Sequence, residues 1–149
     1  SLDRTLLNEG SAPVKLIKRG DYLGNLAIPR LGRTINIFEG TEKAQLKKGA
    51  GHYEKSVLPG VSNNSILAGH RDTVFSQFGA LKRNDKLIVS TKYGVFTYLI
   101  KSFRIVDGDD RTVIVPTKQA ILTLSTCYPF RYVGNAPQRF IVTAVLAKP

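Results

Sequence analysis

Tryptophan and methionine are absent from this 149-residue chain, and cysteine occurs once, as Cys127. A single thiol excludes an internal disulfide and any multi-thiolate zinc site, so no staple of either kind holds the fold. Long apolar runs are missing too. Gly, Pro or a charged residue interrupts each of them within about ten residues, far short of the roughly 20 that a membrane span needs. The chain opens on Ser1 with no charged stretch leading into an apolar signal core. It therefore reads as a segment whose export and anchoring signals, including any membrane anchor, lie outside it. No internal repeat and no low-complexity tract interrupts the pattern.

Negative charge is the other scarcity. The 11 Asp and Glu face 22 Lys and Arg, for a net charge of +11. Such a surplus attracts anionic polymers or surfaces over about one Debye length. The basic residues are scattered over strand and loop segments, with no recognition helix and no interleaved aromatics, so a nucleic-acid partner is not expected. An anionic wall polymer or lipid surface fits the charge better. Apolar residues make up 42% of the chain, enough for one continuous core. Residues 1–22 read as an N-terminal arm, 23–149 as one domain, and the protein as a monomer.

From Gly24 onward short β-rich runs alternate with turn residues. Asn25 to Pro29 and Thr34 to Phe38 flank a turn at Pro29 to Gly32. Thr41 opens a short helix with Ala44 and Leu46 facing inward, ending at the glycines Gly49 and Gly51. His52, in that Gly-rich stretch, reads as a surface residue. Past the loop Pro59-Gly60-Val61-Ser62-Asn63-Asn64, Ser65 to Gly69 is a buried strand with His70 at its exit. Val74, Phe75, Phe78 and Leu81 then follow at helical spacing. Tyr93-Gly94 joins Lys86–Ser90 to Val95–Leu99 as a hairpin, its second strand continuing to Val106. A long connection from Asp107 to Lys118, the strand Gln119 to Cys127, another long loop to Gln138, and a last strand Arg139 to Leu146 complete the chain. Eight strands with one or two short helices make a mainly β fold, and a closed barrel suits this length better than a sandwich.

Three polar residues end apolar strands: His70 after Ile66-Leu67-Ala68-Gly69, Cys127 after Ile121 to Thr126, and Arg139 before Phe140-Ile141-Val142. A cysteine nucleophile needs thiolate character, a proton donor for the leaving amine, and positive charge or N–H dipoles facing the oxygen that becomes negative. These three residues supply those types. A lone cysteine is ordinarily a buried small hydrophobe, so its neighbours decide the reading.

Those neighbours resemble a known family. Thr123-Leu124-Ser125-Thr126-Cys127 matches the Thr-Leu-x-Thr-Cys signature around the sortase nucleophile, and Leu67-Ala68-Gly69-His70-Arg71-Asp72-Thr73 is similar to the sortase catalytic-histidine segment. Arg139, twelve positions past Cys127 at the opening of a strand, matches the place of the sortase arginine. The resemblance runs from about Gly24 to Leu146. It implies the eight-stranded sortase-type β-barrel, and cleavage of a Leu-Pro-x-Thr-type C-terminal sorting motif through a thioacyl-enzyme. A peptidoglycan-precursor amine then joins the surface protein to the wall, outside the cytoplasmic membrane of a Gram-positive bacterium; the residues themselves give no reason to expect a cofactor or a metal. His-Arg-Asp-Thr-Val-Phe after Ala-Gly resembles class D sortases, and no Asp-Pro-aromatic lid motif of pilin polymerases occurs in the arm. Class D resemblance implies a preference near Leu-Pro-x-Thr-Ala. Thiols ordinarily ionise near about 8.5 and imidazolium near about 6.5, so few copies hold thiolate and imidazolium together and a bell-shaped pH profile is expected.

Thr126 and the apolar loop residues Val113, Ile114 and Val115 are candidates for lining the substrate groove, the loop residues alternatively for plugging the barrel. Arg131 is the reserve for Arg139. Asp72 either orients His70 or caps the following segment. Asp107, Asp109 and Asp110 lack the remaining ligands of a calcium loop, and Arg111 opposes their charge, so a solvated turn is expected. A chymotrypsin-like viral protease would want glycines around the nucleophile, a papain-like enzyme has Cys before His, and a cysteine phosphatase has five residues between Cys and Arg where Cys127 to Arg131 leaves three. The non-enzymatic alternative is a basic β-barrel that binds wall polymer, with an inert Cys127.

Overall fold

The structure is a computed structural model that describes residues 16–70, 77–108, 110, 113, 115–128 and 138–147. Eight strands among the described residues close into a barrel: β1 (Tyr22–Ile28), β2 (Arg33–Glu39), β3 (Ala50–His52), β4 (Asn63–Gly69), β5 (Lys86–Thr91), β6 (Gly94–Asp107), β7 (Ala120–Tyr128) and β8 (Gln138–Leu146). Their order around the barrel is β1-β2-β3-β4-β7-β8-β6-β5. Closure gives every strand a neighbour on both sides over at least part of its length. The β2–β3 and β4–β7 pairs are parallel and the other six antiparallel. The expected mainly β barrel is thus the observed one, with, among the described residues, a single α-helix, α1 (Lys43–Lys48), and 3-10 turns at Pro29–Leu31 and Phe78–Ala80.

Period-two alternation builds the core. Leu26 and Ile28 of β1, Leu87 and Val89 of β5, and Leu122 and Leu124 of β7 are fully buried, each full burial of such a side chain contributing about 1.5–3 kcal/mol. Tyr98 fills the interior, its hydroxyl accepting the Gly60 N–H at 2.8 Å. Burial pushes that phenol above its ordinary range despite the opposing hydrogen bond from Gly60. Gly24 sits at a bulge with φ +148°, where a Cβ would lie 1.9 Å from the Ser90 carbonyl oxygen, so β1 and β5 approach there only because glycine has no side chain.

Strands β4 and β7 depart from simple alternation. In β7 every residue from Ala120 to Thr126 is buried, including Ile121 and Thr123 on the face turned away from the core cluster. A strand covered on both faces reads as a continuous apolar run. The outer cover includes the connection between β6 and β7, whose Val113 and Val115 carbonyls accept hydrogen bonds from the Asn64 side chain of β4.

Three local expectations need correction. Helix α1 is N-capped by Glu42, whose side chain accepts the Gln45 N–H while the Glu42 N–H donates to Gln45 Oε1 at 3.0 Å. That reciprocal lock buries Gln45 and leaves Ala44 exposed, rotating the inward face by one residue. The Gly-rich stretch after α1 is strand β3 rather than loop. His52, expected at the surface, is 1% exposed, with Nδ1 2.6 Å from Glu39 Oε1 and Nε2 2.8 Å from the Val57 carbonyl. Its polar atoms find their partners inside the protein. Removing one member of such a buried pair strands the other, so His52→Ala is expected to lower unfolding free energy by about 3–5 kcal/mol, read from the urea midpoint.

Candidate active site

The barrel register brings three strand ends to one rim. β4 and β7 run parallel with Gly69 opposite Thr126, so His70 and Cys127 are the next residues along two neighbouring strands. β8 returns antiparallel, and Arg139 is the register partner of Cys127. Adjacent strands lie about 4.8 Å apart, and residues directly opposite in an antiparallel pair share a face. Three residues separated by 57 and 12 positions in the sequence therefore meet on three consecutive strands.

His70 is half-buried at the exit of β4, and Arg139 is exposed at the start of β8. The Arg139 Nε–H donates to the Gly108 carbonyl at 3.2 Å, which ties the guanidinium to the first turn beyond β6. Phe140, next to it, stacks on Phe103 of β6 with ring centroids 5.8 Å apart. Alternation along β8 puts Arg139 and Ile141 on the outer face, while Val142 and Ala144 belong to the core. Thr126 is 1% exposed, and its Oγ1 has no hydrogen-bond partner among the described residues. Val113 is half-buried and Val115 is 47% exposed. Ile114, Asp72, Val74, Phe75, Asp109, Arg111 and Arg131 lie outside the described residues.

Among the described residues no group of three or more His, Cys, Asp or Glu side chains is placed to hold a metal ion, and no helix is long and apolar enough to cross a membrane. A cleft of about 350 Å³ opens at the other end of the barrel, where Tyr22 and Leu23 of β1 face Thr91, Lys92 and Tyr93 of the β5–β6 turn. It shares no residue with the strand ends above.

The sequence profile of the Sortase domain matches residues 26–147. The chain belongs to the sortase family. Sortase D of Bacillus subtilis is 45% identical to this sortase over 124 residues, covering 83% of this chain and 63% of that protein. Sortase A of Streptococcus agalactiae is 31% identical over 135 residues, covering 85% and 53% respectively. The chain thus spans less than two thirds of the length of these relatives. Among solved structures, a Clostridium perfringens Sortase D5 transpeptidase superimposes with a TM-score of 0.81 at 28% identity, covering 89% of this chain and 83% of that one. Sortase C1 of Streptococcus agalactiae does so with a TM-score of 0.77 at 31% identity, covering 85% and 67%. Membership in this transpeptidase family, the closed barrel and the similarity to a sortase D agree with the resemblance drawn from the three motifs. The hydrogen-bonding role of Asn63 and Asn64 was not foreseen. The available signal was a pair of adjacent asparagines immediately before a buried strand, in a position that reads simply as turn.

Proposed function

We propose that this sortase is a cysteine transpeptidase that cleaves a Leu-Pro-x-Thr-type sorting motif and transfers the acyl part to a cell-wall amine. Cys127 is the nucleophile, His70 the acid and base, and Arg139 the cation at the developing oxyanion. The observation that carries this reading is the register that makes residues 70, 127 and 139 neighbours on β4, β7 and β8. The Cys127 thiolate adds to the carbonyl carbon of the motif's Thr, the oxygen gains charge beside Arg139, and the C–N bond then breaks. The His70 imidazolium gives its proton to the leaving amine. An incoming amine attacks the thioester and loses a proton to His70, and the C–S bond breaks to return the thiolate.

Arg139 has two parts in this scheme. Its tie to the Gly108 carbonyl holds the guanidinium near the rim, and its fork suits both the peptide backbone and the oxyanion. Arg139→Ala is expected to lower kcat/KM about 100-fold. Arg139→Lys recovers only part of that, because a point charge cannot replace the planar fork. Steady-state kinetics on both variants checks this.

Val113, Ile114, Val115 and Thr126 are assigned to the substrate groove, the three loop residues to the motif's Leu and Pro. The surface protein and the peptidoglycan-precursor amine are the natural partners, and the reaction takes place on the outer side of the membrane. Incubation with Leu-Pro-x-Thr peptides varied after Thr, with and without an amine acceptor, tests the assignment. The expected result is an acyl–amine product formed fastest when Ala follows Thr. Failure to cleave any such peptide, with the protein folded, would contradict it.

A further inference from the structure

The β6–β7 connection is fastened at one end by Arg139 and at the other by two residues that the three motifs do not include. Near the rim that carries His70 and Arg139, the fastening is the Arg139 Nε–H to Gly108 carbonyl bond. At the other end it is Asn63 and Asn64, the first two residues of β4. The described residues Val113, Val115 and Thr117 of the connection are thereby held against the start of β4.

Asn64 spends its whole amide on this contact. It is 7% exposed, its Nδ2 donates to the Val113 carbonyl at 3.0 Å and the Val115 carbonyl at 3.3 Å, and its Oδ1 accepts the Thr123 hydroxyl of β7 at 2.6 Å. One buried side chain thus joins three segments: β4, β7 and the connection. Asn63 adds a strained backbone. Its φ is +130°, a conformation L side chains rarely adopt, and its Oδ1 accepts the Asn64 N–H at 2.7 Å and the Thr117 N–H at 2.9 Å. Its own N–H donates to the Gln119 carbonyl at 3.1 Å, while the Thr117 hydroxyl donates to the same carbonyl at 2.8 Å. A polar core residue retained only for satisfaction would not need strained backbone beside it. Strain of this kind persists where the surroundings over-determine it, and it collects at functional sites.

We propose that Asn63 and Asn64 form a positioning clasp that holds the β6–β7 connection in its peptide-receiving shape before substrate arrives. This rests on the groove assignment above and adds to it the residues that set the groove's order. A wall ordered in advance spares the peptide the entropy of ordering it on binding. The clasp therefore acts on KM and motif selectivity, and leaves the chemical step at Cys127 alone.

The test compares wild type with Asn63→Gly and Asn64→Ala. Glycine adopts φ +130° without strain, so Asn63→Gly keeps the backbone path and removes the side-chain amide with its Oδ1 acceptor. Two readouts are taken on each protein: amide hydrogen exchange at Thr117, and kcat and KM for a Leu-Pro-x-Thr-Ala peptide. Exchange is expected to quicken about tenfold or more in both variants. KM should rise about fivefold or more while kcat stays within about twofold. Unchanged exchange would overturn the clasp, and faster exchange with unchanged KM would overturn its role in binding. A wild-type enzyme that consumes no sorting peptide would contradict the proposed function instead, and the exchange data would still decide whether the clasp orders the connection.

Discussion

Cys127→Ala is expected to reduce peptide cleavage and amine transfer to the uncatalysed background while the protein stays folded. Two arguments set this magnitude. No second thiol exists in the chain to take over, because Cys127 is the only cysteine in it. On the proposed mechanism, the remaining groups have no nucleophile to assist once the thiol is gone. The fold survives because position 127 belongs to the barrel through its backbone pairing with Arg139, which alanine preserves. Circular dichroism and a thermal melt of the variant, beside an end-point assay, separate lost chemistry from lost structure.

His70→Ala is expected to lower kcat by about 10⁴-fold, the upper end for removal of a general acid and base, because one residue serves both half-reactions. In the first, an unprotonated amine is a very poor leaving group; in the second, an ammonium acceptor cannot attack. The effect should have a pH signature. On the proposed mechanism, turnover by the wild type is expected to fall at acid pH for want of thiolate and at alkaline pH for want of imidazolium, giving a bell. In His70→Ala the residual rate keeps the thiolate limb and loses the alkaline fall. A wild-type profile that rises monotonically through both ionisations would argue against this division of roles. Position 70 follows the last paired residue of β4, so its truncation leaves the strand ladder in place.

The strands legible in the sequence were those whose local pattern carries their burial. β1, β2, β5 and the start of β6 alternate, and the Lys92-Tyr93 turn between Thr91 and Gly94 is marked by its glycine. β3 was not legible. Three residues, one of them glycine, are too few to show a period, and Ala50-Gly51-His52 acquires strand character only by lying between β2 and β4. The same holds for His52: its burial is made by Glu39 on β2 and by the Val57 carbonyl, which no local window around residue 52 anticipates. Gln45 was hidden because a capping box overrode the apolar preference of its helix.

The candidate site divides along the same line. His70, Cys127 and Arg139 stood out because a polar residue ends an apolar run in each case, a local feature. Their convergence depends on the parallel pairing of β4 with β7, strands separated by 50 residues between Gly69 and Ala120, and no periodicity encodes a register at that distance. Asn63 and Asn64 were least visible. Adjacent asparagines read as turn in isolation, and their meaning lies in carbonyls of residues 113 and 115 and in the amide of Thr117.

Cys127 as acyl carrier is the central claim, and covalent trapping tests it most directly. The protein is mixed with a Leu-Pro-x-Thr-Ala peptide without any amine acceptor, quenched in acid within the first turnover, digested, and mapped by mass spectrometry. The account predicts a mass increase equal to the peptide acyl through Thr, confined to the fragment that holds Cys127, abolished by prior thiol alkylation and discharged by a later amine. Peptide turnover that proceeds with Cys127 alkylated, or with no acyl on that fragment at any time, would contradict it.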